Sequence, residues 1–223
     1  QNTLGWVPSD TILTKEQENM TALMDGKRGF FQGIPINTNL CYSNPDVIAS
    51  FAEKVTAYAM LHPEVDYLHV WLADASNNHC ECDTCKKHLP SDLYVHILNE
   101  IDRALTQKQL DTKIVFLIYE ELLWAPIEEK LLHPHRFVMM FAPISRTFLQ
   151  SYEIPEQLPA PVPYQRNQIT LPVNLTENLS FLAQWQKIFH GECFDYDYPW
   201  AELIMEIWDT CIFRGLSTRI FTA

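Results

Sequence analysis

Three cysteines fall within six positions, Cys80-Glu81-Cys82-Asp83-Thr84-Cys85, just after a run that ends in an acid, His69-Val70-Trp71-Leu72-Ala73-Asp74. Cys-x-Cys-x-x-Cys spacing is too tight for comfortable pairwise disulfides and suits a soft metal held by a loop. Zinc takes sulfur and nitrogen ligands in a tetrahedron, and four protein ligands leave no open position, so a closed site of this kind is structural. Cys41 is the best candidate for the fourth ligand. It ends the preceding extended segment, and neighbouring parallel strands bring their carboxyl ends together. His79 and His88 are its rivals. A set of reduced thiols, or one disulfide with spares, is the plainer alternative. Cys193 and Cys211 read as small core residues.

A second set of residues could do acid–base work. Asp74, Glu120, Glu121, Asp195 and Asp197 all fall at the ends of expected strands. Cleavage of a glycosidic bond needs two carboxyl groups flanking it, one protonated as acid and one ionised as base or nucleophile. Apolar surroundings raise one carboxyl's pKa and keep its proton on. Asp74, Glu120, Glu121 and Asp195 are the candidates for these roles. Trp71, Tyr119, Trp124 and Tyr198, with Tyr196 and Trp200 nearby, could stack on sugar faces. Asp197 could bind sugar, and Arg146 could grip a substrate carboxylate with both arms of its fork. The plainer readings are that aromatics fill the core, that strand-end acids cap the next helix, that Asp74 merely shapes the cysteine loop, and that Arg146 makes a surface ion pair. His69 reads as a core histidine, and His133 and His135 as solvated. No Gly-x-Ser-x-Gly elbow or other nucleophile motif stands out.

These residues need a scaffold that gathers strand ends. Runs at 66–73, 114–119 and 137–142 are apolar throughout, as strands buried on both faces are. Residues 30–41 read as extended, with Pro35 confining their middle to an edge or bulge, and 192–198 and 216–221 complete six strands. Helices are expected at 14–24, after the Asn44 cap and Pro45, after Pro90-Ser91-Asp92, at about 126–132, after a Thr176 cap, and at 200–213. The proline-rich stretch from 143 to 173 is a long loop. Strand–helix alternation implies a parallel sheet with crossover helices. The expected fold is α/β: a partial or complete (β/α)8 TIM-like barrel with parallel strands, one domain over 1–223. A complete barrel typically needs about 250 residues. An open doubly wound sheet is second, weakened by the absence of any Gly-rich phosphate loop.

With a formal net charge of −12 and no basic block, nucleic acid and anionic membrane are not expected partners. No apolar run reaches the roughly 18 residues of a membrane span. No leader opens the chain, which on its own points to the cytoplasm. Gln1 to Trp6, however, reads as mid-domain sequence, so an N-terminally truncated fragment of a longer protein is expected and the parent's compartment stays open. Oligomeric state is not readable.

The pattern Leu40-Cys41-x-Ser43-Asn44-Pro45, a strand ending in an acid, Cys80-x-Cys82-x-x-Cys85, and a Ser91-led helix carrying Asn99 resembles the bacterial domain of unknown function 4838 family. The resemblance covers about 30–150 well and the remainder loosely. That family is similar to glycoside hydrolase barrels of the α-glucuronidase and β-hexosaminidase groups, and its parent proteins usually carry a small α/β domain before the barrel. The resemblance implies a carbohydrate-active setting rather than a particular reaction. Many relatives have Asn-Asp at the strand end where this chain has Asp74-Ala75. The expected function is a glycoside hydrolase-like domain with a carbohydrate substrate and strand-end carboxylates as acid and base. The alternatives are a non-catalytic carbohydrate-binding or scaffold module with a structural zinc, and a metalloenzyme with an open coordination position.

Overall fold

The structure is a computed structural model that describes residues 10–149 and 155–197. The expected helix at 200–213, the strand at 216–221, Tyr198, Trp200 and Cys211 lie outside the described residues.

Helix α1 (Lys15–Met20) starts in a capping box between Thr14 and Gln17. Residues 30–41 do not form the expected strand. They make two tight turns, Phe31–Gly33 and Pro35–Asn37. Gln32 and Gly33 both take positive φ, and Thr38 competes for the backbone by accepting the Phe31 N–H and donating to the Ile34 carbonyl, each at 2.8 Å. Only Leu40 bridges to Thr21, antiparallel. The Cys41 N–H then donates to the Met20 carbonyl at 2.7 Å. Helix α2 (Pro45–Leu61) has the expected Asn44 cap and Pro45 start.

Strand β1 (Tyr67–Val70) is shorter than expected. Ala73 and Asp74 give their N–H groups to Asn39 Oδ1 (3.2 Å) and the Ile36 carbonyl (3.0 Å) instead of to the ladder. Helix α3 (Pro90–Gln107) packs against α2 and buries Tyr94, Ile97, Leu98, Ile101 and Leu105. Strands β2 (Lys113–Ile118) and β3 (Phe137–Phe141), helix α4 (Leu175–Gln186) and strand β4 (Glu192–Asp195) follow. The cap of α4 is Asn174, not Thr176.

The four strands are all parallel, in the order β1-β2-β3-β4. On one face Ile114, Phe116 and Ile118 of β2, with Phe137, Met139 and Phe141 of β3, join the main core with the helices. On the other, Val115, Leu117, Val138 and Met140 form a second cluster. That two-sided burial is why these runs are apolar at every position. The α/β class and the parallel sheet stand as expected. Among the described residues the sheet is not closed and holds four strands; of the six expected, 30–41 forms turns and 216–221 lies outside those residues. Strand β4 is exposed along its whole length, so Cys193 is exposed rather than a core residue. His69 is likewise exposed on β1.

The expected helix at 126–132 is absent because its backbone groups bond elsewhere. Asp92 Oδ1, in the first turn of α3, accepts from the N–H groups of Ile127, Glu128 and Glu129 at 2.8–3.0 Å. Asn99 donates to the Lys130 carbonyl (3.0 Å) and accepts from the Leu132 N–H (3.1 Å). Asp102 faces His133 Nδ1 at 2.6 Å and Arg136 Nε at 2.9 Å, so His133 is paired rather than merely solvated. Asp92→Ala strips three donors of one acceptor. An expected loss of about 3 kcal/mol, read from urea unfolding, follows; a loss under about 0.5 kcal/mol would mean water replaces the carboxylate. Among the described residues no helix is long and apolar enough to cross a membrane.

Candidate metal centre and strand-end acids

The sulfurs of Cys41, Cys80, Cys82 and Cys85 all lie within 4.8 Å of one another. Cys41 Sγ is 3.7 Å from Cys82 Sγ and 4.0 Å from Cys85 Sγ. A tetrahedron with metal–sulfur bonds of about 2.3 Å has edges of about 3.8 Å, whereas a disulfide needs about 2.05 Å. The four are free thiols at metal-ligand spacing, so they could hold a metal ion. The surroundings suit thiolate. The Leu23 N–H donates to Cys80 Sγ (3.3 Å) and the Cys85 N–H to Cys82 Sγ (3.4 Å). Ser43 Oγ stands 3.1 Å from Cys85 Sγ, and Arg28 Nη2 is 4.0 Å from Cys41 Sγ. Hydrogen bonds from Cys80 and Cys85 hold the Cys41 thiol far below its ordinary range, and the bond with Cys41 pushes the Cys85 thiol up. The rivals for the fourth position are engaged elsewhere. His79 Nε2 faces Glu121 Oε2 at 3.8 Å, and His88 Nδ1 is 2.6 Å from Glu128.

Two residues with no motif to announce them hold this loop. Arg166 donates to the carbonyls of Cys80 (3.1 Å), Cys85 (2.8 Å) and His88 (2.5 Å). Asn167 accepts the His79 N–H at 2.9 Å and donates to the His79 carbonyl and Glu81 Oε1, both at 2.8 Å. Both sit in the long proline-rich loop, whose sequence carries no periodicity. The only available signal was an isolated Arg-Asn pair between Gln165 and Gln168.

Among the acids, Asp74 and Glu120 come together. Glu120 follows β2 by two positions, opens a tight turn (Glu120–Leu123) and takes φ 51°, uncommon for a residue with a side chain. It is buried, and burial first, then the charges of Glu121 and Asp74, push its carboxyl up to about 8, against a hydrogen bond from Tyr119. Tyr119 OH also donates to Asp74 Oδ1 at 3.1 Å. Asp74 is exposed and takes the Ala75 N–H at 3.0 Å, so it also shapes its own turn, with Ala75 at φ 68°. Glu121 is fully buried and taken up by the cysteine loop, accepting the Asn77 N–H. Burial raises its pKa, opposed by that bond and by Arg166.

The remaining candidates are placed differently. Asp195 is exposed at the end of β4, opposite Phe141 in register. Asp197 and the buried Arg146 form a two-pronged ion pair, with Nε to Oδ1 at 2.8 Å and Nη2 to Oδ2. The fork expected to grip a substrate carboxylate thus grips one from this chain, and the pair is buried on the arginine side rather than superficial. Trp124 is a core residue: its ring packs on Phe181 at 4.7 Å and its N–H goes to the Val162 carbonyl. Trp71 is exposed, edge-on to His69 at 5.4 Å.

No curated protein and no solved structure matches this chain. Over residues 4–201, a span that includes the four clustered cysteines and the strand-end acids, the sequence matches the family described as a domain of unknown function, DUF4838, and the chain belongs to that family.

Proposed function

We propose that the chain is a carbohydrate-active α/β domain of the (β/α)8 barrel kind, in which Glu120 and Asp74 work as acid and base on a glycosidic bond. The observation that carries this reading is the Glu120–Tyr119–Asp74 group beyond the carboxyl ends of adjacent parallel strands. A buried carboxyl that keeps its proton at neutral pH stands near an exposed carboxylate, with a phenol bonded to the latter. Two carboxyl groups in unlike environments are what acid–base cleavage of an acetal requires. The strand order, which never reverses among the described residues, supports an arc of a barrel over a doubly wound sheet. The four cysteines fit zinc by donor type and spacing. Bound there, zinc supplies a structural cross-link between the Cys41 and Cys80–Cys85 segments and no open position for substrate.

The test is turnover of a panel of aryl glycosides and uronides by the protein. Turnover of at least one is expected, falling by about 10²–10⁴ in Glu120→Gln, the range for loss of a general acid. No turnover of any would overturn the catalytic reading. Elemental analysis tests the metal: one zinc per chain is expected, and none would overturn it.

A non-catalytic sugar-binding module is favoured by one specific observation. None of the candidate acids Asp74, Glu120, Glu121 and Asp195 lines the small cavity under α4 by Trp185 and Phe189 or the groove of about 240 Å³ between α2 and α3. That reading predicts sugar binding that survives Glu120→Gln and is lost in Trp71→Ala, by titration calorimetry.

A further inference from the structure

We propose that Arg166 and Asn167 are positioning residues of the sulfur centre, and that metal occupancy and docking of the 162–169 strap are thermodynamically linked. The inference rests on the metal-binding reading above and extends it to two residues that lie 78 to 88 positions from the backbone they hold.

Three carbonyls converge on one guanidinium, and two belong to ligand residues, Cys80 and Cys85. A planar fork holds five donors in a fixed geometry and serves several fixed acceptors at once, whereas an ammonium offers three donors on a flexible stem. Asn167 bonds both backbone groups of His79, next to Cys80, and reaches Glu81 beyond it. Glu81 is in turn tied to the opposite segment, its N–H to the Leu23 carbonyl at 2.8 Å and its Oε2 to the Asp25 N–H at 3.0 Å. Cys80 is therefore held from both sides, and Leu23 is also the donor to its sulfur.

The strap is anchored at both ends. Val162 takes the Trp124 indole N–H at 2.7 Å, and the Ile169 N–H goes to Asn77 Oδ1 at 2.8 Å. Asn167 takes φ 54°, a left-handed conformation that asparagine tolerates better than most residues. Charge points the same way. Four thiolates around a dication leave a net −2, and two cations stand against the ligand residues, Arg28 at Cys41 and Arg166 at Cys85. A strap that orients the ligands and supplies charge binds the loaded loop better than the empty one. By reciprocity the metal strengthens the strap's docking by the same factor.

The test uses the full chain. Zinc affinity is measured by competition with a chromogenic chelator for the wild type, Arg166→Met, Arg166→Lys and Asn167→Ala, and cobalt(II) spectra report the thiolate geometry. Arg166→Met is expected to bind zinc 10–100-fold more weakly, as residues that orient metal ligands do when lost, with altered cobalt–thiolate bands and an unchanged circular dichroism spectrum. Arg166→Lys recovers only part of the affinity. Trypsin cleavage of the wild type after Arg166 is slow with zinc and faster after chelation. Arg166→Met or Arg166→Lys at wild-type affinity overturns the proposal, as does cleavage at one rate with and without zinc. Should Arg166→Met fail to fold, Asn167→Ala and the trypsin comparison decide. A wild type that takes up no zinc overturns the metal reading itself; a loaded wild type with unaffected variants overturns only this inference.

Discussion

Cys82→Ser will release the metal and lower the melting temperature of the zinc-loaded protein by roughly 8–16 °C. The figure follows from mass action. A ligand at about 1,000 times its dissociation constant stabilises the native state by about 4 kcal/mol, and each kcal/mol moves the melting temperature of a domain this size by about 2–4 °C. Cys82 is the right position because it is the least buried of the four sulfurs, so the isosteric hydroxyl disturbs packing least while removing a soft ligand. Chelated wild type separates the two effects. If the metal is the cause, wild type in chelator and Cys82→Ser melt together, both well below the loaded wild type. If the variant melts with the loaded wild type, the sulfurs are a packed thiol cluster and no staple.

What was legible in the sequence was what depends on local chemistry. Strands β2 and β3 announce themselves because both faces are buried and, Lys113 at the start of β2 apart, every position is apolar. The Asn44 cap and Pro45 start of α2 needed only neighbours in sequence. Cys41 does join the other three sulfurs, but not for the expected reason. It does not end a parallel strand; an antiparallel bridge between Leu40 and Thr21 and the Met20 carbonyl put it there. What stayed hidden was chemistry that crosses the chain. A helix is expected at about 126–132, and Asp92 and Asn99 override it by taking the backbone donors and acceptors themselves. Arg146 gave a functional signal that Asp197 already answers from within the chain. Arg166 offers only the faint signal of an isolated Arg-Asn pair, because nothing in a loop's composition says which distant carbonyls it will find.

Glu120→Gln will make the protein more stable than the wild type at pH 9 and leave its stability at pH 4 unchanged. The folded Glu120 carboxyl titrates at about 8 against an ordinary value of 4.5. Below 4.5 it is protonated whether the chain is folded or not, so pH has no hold on it. Between 4.5 and 8 the unfolded chain releases the proton and the folded chain keeps it, and native stability falls as pH rises. Above 8 the folded protein must carry the charge in a buried turn, against the charges of Glu121 and Asp74. The accumulated penalty is about 5 kcal/mol at about 1.4 kcal/mol per pH unit. Glutamine keeps the shape and has no proton to lose. The difference between variant and wild type in urea midpoint should therefore grow from pH 5 to pH 8 and then level off. The same retained proton is what a leaving-group oxygen would receive, so activity of the full-length protein should fall above about pH 8 as the wild type is destabilised. Parallel pH profiles for the two proteins would mean that Glu120 is solvated and ionises normally, and the acid proposed for catalysis would lose its proton at neutral pH.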